Sequence, residues 1–326
     1  MTITAANFPT PHLALRSSDP DEIDRVRQFA HEQARAAETA LRELGAALSA
    51  ARSRADRIAA FVRTHENLIQ WRAGLARRTT RRLGTGIDHD ASRFTMSLRD
   101  GGRNYDRLGR VGRLRENPVW DPESRTYRGG RATPAHLIML EHGRVAIERF
   151  AAEDHDGDTL RNPVTLPDGG RIDGNSLVRG AAARRIAADL VARIARRGAD
   201  TSRIETGGEP LYVVTAADAD RERIFQAAMT ALADSAPGDV HTWQAVRYLL
   251  YQSPMTKKGS DAVTRVFLIV VGSILLGRPP VLDHDVDLRC IVAGQPAATA
   301  LPSDPGLAFT SAGRSAPPHG EGTPTV

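Results

Sequence analysis

Apolar residues recur at helical spacing from the first acidic cluster onward. Val26, Ala30, Ala37, Leu41, Leu44 and Leu48 form one stripe, and Ile58, Phe61, Val62, Leu68, Ile69 and Leu75 continue it. Asp19-Pro20-Asp21-Glu22 opens the stretch with a capping residue, a first-turn proline and acids at the positive end of the dipole. The pattern predicts one long helix, or a helical hairpin bent near Thr64-His65, as a helical arm over 19–85. Arg77, Arg78, Arg81 and Arg82 would close it as a basic last turn that complements the dipole or meets phosphates. Residues 1–18 lack periodicity and read as a disordered arm.

The period changes after residue 92. Phe94, Met96 and Leu98 alternate with Thr95, Ser97 and Arg99 before Asp100-Gly101-Gly102-Arg103, which predicts a strand and a hairpin turn. The same tetrapeptide returns at Asp168-Gly169-Gly170-Arg171 after Pro163-Val164-Thr165-Leu166. Leu137 to Leu140 and Val145 to Ile147 flank Glu141-His142-Gly143-Arg144, a third hairpin candidate. Helical periodicity resumes behind an Asn175-Ser176 cap, with Val178, Ala182, Ile186, Leu190 and Ile194 on one face up to Gly198. Pro210 to Val214 is a short strand. Helices follow from about Asp220 and Val240, and a buried one spans 261–276, stopped by Gly277-Arg278-Pro279-Pro280. From residue 296 to 326 the composition predicts a disordered tail. The fold class is α+β, mainly helical, with a small antiparallel hairpin region inside one domain over 92–295.

Composition narrows the function classes. The 326 residues are 41 % hydrophobic and 25 % charged, with a net charge of +5. Basic character permits a phosphate or nucleic-acid partner. Nucleic acid is the weaker candidate, because the chain has no aromatic-interleaved basic stripe, helix-turn-helix or zinc spacing. The lone Cys290 excludes an intrachain disulfide and fits a reducing cytoplasm, and Met1 to Ser18 does not read as a signal peptide. Cys290 follows apolar-polar alternation and reads as a buried strand residue. The run Val266 to Gly277 is too short to span a bilayer, so no membrane association is expected.

Of the 44 basic residues, 42 are arginine; the two lysines, Lys257 and Lys258, are adjacent. Lysine is a compact, rotatable point charge where arginine is a planar fork, so a lysine pair against such a bias marks a site of special demand. Gly259 and Ser260 follow, the first suited to a positive φ and the second to an N-cap. Lys257, Lys258, Gly259, Ser260 and, one helical turn on, Arg265 form a candidate anion or substrate site, with a phosphate-bearing small molecule or nucleotide as partner. A solvated inter-helix turn is the competing reading.

A second cluster is Asp283-His284-Asp285-Val286-Asp287-Leu288-Arg289. In an extended segment the three aspartates share one face, with His284 opposite. Asp285 and Asp287 would suit a divalent cation, and Asp285 or His284 a catalytic base, the latter with a raised pKa between acids. A polar loop pairing with arginines is the plainer alternative. Asp154-His155-Asp156-Gly157-Asp158 places its glycine too early for a calcium loop and reads as a plain loop.

The stretch 210–280, within a core drawn at 210–290, resembles a diverged Fic (Fido-superfamily) domain. Pro210 to Val214 matches the family's flap strand, and Ser253-Pro254-Met255 stands where His-Pro-Phe is expected. Gly259 to Arg265 matches Gly-Asn-Gly-Arg-x-x-Arg, and Gly277-Arg278-Pro279-Pro280 matches the end of the core. The resemblance implies transfer of a nucleotidyl or phosphate-containing group from a nucleotide or sugar-nucleotide. Ser253 (or Gln252) stands in place of the catalytic histidine, lysine replaces the acidic metal ligand, Ala262 replaces the first arginine, and the loop is one residue longer. The alternative is a catalytically inactive Fic-like binding or regulatory protein that engages a protein partner through helices 20–82.

Overall fold

Asp19 accepts a hydrogen bond from the Asp21 amide and Pro20 occupies the first turn, which starts α1 (Pro20–Ala50). The computed structural model describes residues 2–78, 90–153 and 156–307. The chain turns back at Ala51–Ser53 into α2 (Arg54–Arg78). Ser53 and Asp56 fix this bend reciprocally: Ser53 Oγ accepts the Asp56 amide at 3.1 Å, and Asp56 Oδ2 accepts the Ser53 amide at 2.9 Å. Of the two expected forms, one long helix or a helical hairpin, the hairpin is found, but its bend is not at Thr64-His65. Thr64 Oγ1 donates back to Ala60 O inside α2, and His65 is buried against Phe225 and Phe267. Arg77 and Arg78 form the last turn of α2; Arg81 and Arg82 lie outside the described residues.

The middle region corrects two of the three expected hairpins. Phe94, Met96 and Leu98 do not form a strand. Ala91–Phe94 is a 3-10 turn, and Ser97 caps the short α3 (Leu98–Gly101) by accepting the Arg99 amide. The first Asp-Gly-Gly-Arg is therefore a helix end, with Gly102 at φ 72°. β1 (Tyr105–Leu108) follows, then the ribbon β2 (Val119–Asp121) and β3 (Thr126–Arg128). Glu141 to Arg144 lies inside α4 (Pro134–Ala152), started by Pro134 and the Thr133 cap. The second Asp-Gly-Gly-Arg is a true hairpin turn between β4 (Thr159–Thr165) and β5 (Arg171–Val178), with Gly169 at φ 84°.

β5 runs through Asn175-Ser176, so these do not cap a helix. α5 (Gly180–Ala195) begins five residues later, and Asp158 Oδ2 accepts the Ala182 amide in its first turn. β6 (Leu211–Val214) completes an antiparallel sheet of order β1-β6-β5-β4. α6 (Asp218–Asp234), α7 (Val240–Gln252) and α8 (Ser260–Leu275) follow, then α9 (Val286–Val292) and α10 (Gln295–Ala298). The protein is α+β and mainly helical.

α8 is the core. Val263, Val266, Phe267, Ile269, Val270 and Val271 are all buried, and α1, α2 and α7 pack on it. Most of the stripe of the N-terminal hairpin, from Ala30 to Ile69, belongs to the same hydrophobic cluster, so α1 and α2 are packed on the core and do not form a separate arm; residues 79–85 lie outside the described residues. Nor are 2–18 and 296–307 loose, while 308–326 lie outside the described residues. Ile3 and Phe8 are buried, and Asn7 Nδ2 donates to Pro280 O at 2.9 Å. Ala298, Leu301 and Leu307 join the core, and Asp304 pairs with buried Arg247 at 2.6 Å. Each short segment buries a few apolar residues around several anchoring polar contacts, which composition averaged over the segment hides. Among the described residues no helix is long and apolar enough to cross a membrane.

Candidate functional site

The loop between α7 and α8 is fixed from both sides. The Lys257 amide donates to Met96 O at 3.0 Å, the Lys258 amide to Arg93 O at 3.1 Å, and the Leu98 amide to Met255 O at 3.2 Å. Gly259 sits at φ 80°, where a Cβ would lie 2.6 Å from Phe94 Cδ1 and 2.9 Å from Arg72 Cγ. Glycine is required there for conformation and for space. Gly259, not Ser260, occupies the cap position of α8; Ser260 Oγ instead donates to Thr256 O at 3.1 Å.

This loop walls a cleft of about 310 Å³ with the ends of β1 and β6, the middle of β5 and the inner face of α9. Lys257, Lys258, Gly259, Ser260 and Asp287 line it, together with Asn104, Asp106, Thr215 and Asp261. Lys258 Nζ has no hydrogen bond among the described residues. Lys257 is buried, and its Nζ donates to Gly102 O at 2.7 Å and Arg103 O at 3.3 Å. Burial, then the cations Arg193, Arg93 and Arg197, pull the Lys257 ammonium down to about 8. Burial and Arg93 likewise lower Lys258. Arg93 leaves a buried Nε without a partner. The two lysines therefore sit in a concentration of positive charge.

Two carboxyls balance part of this field. Asp106 is open to solvent through the cleft and has no hydrogen bond or ion pair among the described residues. The protein around the cleft raises its pKa by desolvation, against the pull of Lys257, Arg113 and Arg93, although the carboxylate itself stays exposed. Burial and the Asp261 carboxylate push Asp287 up to about 7, against Arg265. An unpaired carboxylate and a carboxyl that titrates near neutrality can accept or donate a proton.

The remaining sequence candidates are committed to structure. Arg265 is buried, with Nε on Asp261 at 2.8 Å, one terminal nitrogen on Asp283 O and the other on His284 O and Asp287. It ties α8 to the segment before α9 and has no contact left for an anion. Ser253 is buried and donates to Leu249 O at 2.8 Å, outside the cleft. Residues 283–287 are not extended: α9 begins at Val286, so Asp285 and Asp287 diverge instead of sharing a face. Asp285 is bound to His142 at 3.2 Å and Arg289 at 2.9 Å. Burial raises its pKa, but these hydrogen bonds hold it well below the carboxylate range. His284 stacks on His12 with ring centroids 3.7 Å apart, and burial lowers its pKa in spite of Asp285. The expected raised pKa is reversed because ring burial outweighs one neighbouring charge. Asp285 and Asp287 thus do not converge on a cation, and among the described residues no three metal-ligating side chains do. Cys290 is buried in helix, not strand, its thiol pushed up to about 12. Asp154 and His155 lie outside the described residues, and Asp158 caps α5.

Asp106, Asn104 and Thr215 were not singled out by the sequence. They meet the lysine loop only because β1 pairs with β6, and nothing in the local pattern of 104–108 marks a strand. β6 lies between β1 and β5 in the sheet. No protein-family model matches the chain, and no curated protein matches it.

Proposed function

We propose that this chain is a Fic-like protein whose cleft between the α7–α8 loop and the sheet binds a small phosphate-bearing molecule, of nucleotide or sugar-nucleotide type. The observation that carries this reading is the loop geometry that places Lys257 and Lys258 on one cleft wall, with Arg93 near both and Arg193 and Arg197 near Lys257, and with Lys258 Nζ free of hydrogen bonds among the described residues beside the first turn of α8. Asp90 and Asp106 offset only part of the repulsion among these cations, and a bound anion would relieve the rest. Lys257 shapes the wall by clamping 102–103, and Lys258 supplies the binding charge.

A transferase reading of the same cleft is favoured by Asp106. In place of the absent histidine, this carboxylate, unpaired among the described residues, would accept the proton of an acceptor hydroxyl as its oxygen bonds to phosphorus and the phosphate or nucleotide leaving group departs, with Asp287, its pKa raised by burial and Asp261, placed to protonate that leaving group.

One experiment separates the two readings. Nucleotides and sugar-nucleotides are titrated calorimetrically against wild type, Lys258→Ala and Asp106→Asn, and product is followed chromatographically. Lys258→Ala is expected to weaken binding roughly tenfold to a hundredfold, as for one charge-assisted hydrogen bond. Asp106→Asn removes a negative charge from the cleft and is expected to tighten anion binding. Loss of turnover in that variant supports transfer, and no turnover in wild type leaves binding as the function. No phosphate ligand bound by wild type, or unchanged affinity in Lys258→Ala, refutes the proposal.

A further inference from the structure

A second concavity lies between α4, the β2–β3 ribbon, the turn after β1 and the start of α5. Its volume is about 1320 Å³, above the roughly 300–1,000 Å³ usual for small-molecule sites. Seven arginines and three glutamates line it. Most of these arginines are occupied: Arg107 and Arg115 donate to backbone carbonyls, Arg128 pairs with Asp121, and Arg144 pairs with Glu148. Arg110 and Arg184 carry no hydrogen bond or ion pair among the described residues. The groove is therefore basic and contains two unused guanidinium groups.

Its floor is also apolar. Leu140 and Ile147 of α4 line it at 36 % and 47 % exposure, and Leu137, one turn earlier, is 55 % exposed. These are among the large exposed hydrophobics of a protein that otherwise buries its aliphatic residues well, and three of them fall on one helix. Exposed aliphatics rimmed by charge mark a site of protein contact. A nucleic acid would match the charge but would leave this floor unused. Tyr127 is the aromatic side chain in the lining, and it already packs edge-on against Trp120 at 4.9 Å.

We propose that this groove is a docking site for an acidic, amphipathic segment of a partner protein, whose aliphatic side chains cover Leu140 and Ile147 while its carboxylates meet Arg110 and Arg184. The site is separate from the α7–α8 cleft, so its test stands apart from that of the ligand reading. Arginine forks favour carboxylates in bidentate geometry, and a partly desolvated apolar floor strengthens those pairs.

The test uses the full chain and fluorescence anisotropy. The probes are a labelled peptide alternating Glu with Leu, its Lys/Leu counterpart, a Glu-only peptide and a single-stranded oligonucleotide. The Glu/Leu peptide is expected to bind best and the Lys/Leu peptide not at all. Arg110→Glu combined with Arg184→Glu, and separately Ile147→Ser, are each expected to weaken Glu/Leu binding at least roughly tenfold. These positions are exposed or partly exposed, and thermal melts check that the variants fold. Hydrogen exchange on the wild-type chain gives a readout free of mutation, with protection by the Glu/Leu peptide expected over 105–115 and 137–148. The proposal is overturned if the Glu/Leu peptide fails to bind or protects other segments. It is also overturned if the variants bind unchanged, or if the oligonucleotide binds more tightly and ignores Ile147→Ser.

Discussion

His65 shows how one side chain couples the N-terminal hairpin to the core. Its ring meets Phe225 and Phe267 edge-on, at centroid distances of 5.0 and 5.5 Å. Burial lowers its pKa from 6.5 to about 4. The folded chain thus keeps it neutral in a range where the unfolded chain takes up a proton. Its contribution to stability is complete above the unfolded pKa and is lost as pH falls from 6.5 toward about 4. Between pH 7 and pH 5 the loss is about 2 kcal/mol. Urea unfolding at the two pH values should show this slope in wild type and a markedly smaller one in His65→Leu; equal slopes would remove His65 as the cause. The periodicity of the sequence placed neighbouring residues on the core face, but the aromatic partners of His65 come from 160 and 202 positions further along the chain.

At the scale of elements, Gly143 explains a wrong expectation. Glu141-His142-Gly143-Arg144 looks like a hairpin turn, yet it is the middle of α4. The glycine is there for close approach, since a Cβ at Gly143 would lie 2.3 Å from Gly109 Cα where α4 crosses the end of β1. Gly143→Ala is therefore expected to destabilise the fold by about 1–3 kcal/mol, although helix propensity alone would favour alanine by about 1 kcal/mol. Chemical denaturation decides between the two signs. A local pattern cannot separate a turn glycine from a packing glycine, because both lack a side chain for reasons outside the segment. The second Asp-Gly-Gly-Arg was legible because the flanking β4 and β5 alternate buried and exposed residues. The first was not, because Ser97 caps a helix across the same residue types.

For the whole molecule, the C-terminal segment 296–307 is part of the fold. Arg247 is fully buried on α7, and its two terminal nitrogens meet both carboxylate oxygens of Asp304, at 2.6 and 2.9 Å. Asp304→Ala leaves that guanidinium buried without its counter-charge, at an expected cost of about 3–5 kcal/mol. A thermal melt checks this; a shift of only a degree or two would mean that Arg247 finds water or another acceptor.

The sequence by itself determined that the N-terminal stretch is helical, the buried α8 with its Gly-Arg-Pro-Pro stop, the strand at 211–214 and the hairpin at 168–171, but not where the N-terminal helix bends. In each case the signal is a repeated or paired local feature: a 3.6-residue stripe, an unbroken apolar run, a turn between alternating strands. It also marked the lysine loop, since a compositional exception needs no tertiary information to be seen. Only the tertiary structure decided what those residues do. Lys257 clamps a carbonyl pair 154 and 155 positions away, Arg265 is consumed by Asp261, Asp287 and two carbonyls, and Asp285 is held by His142 from α4. Whether a charged side chain is free for a ligand depends on which opposite charges the fold brings within about 4 Å of it. That distance is set by packing between elements far apart in sequence, and so Asp106 and Lys258, unpaired among the described residues, emerge only when β1 pairs with β6 beside the α7–α8 loop.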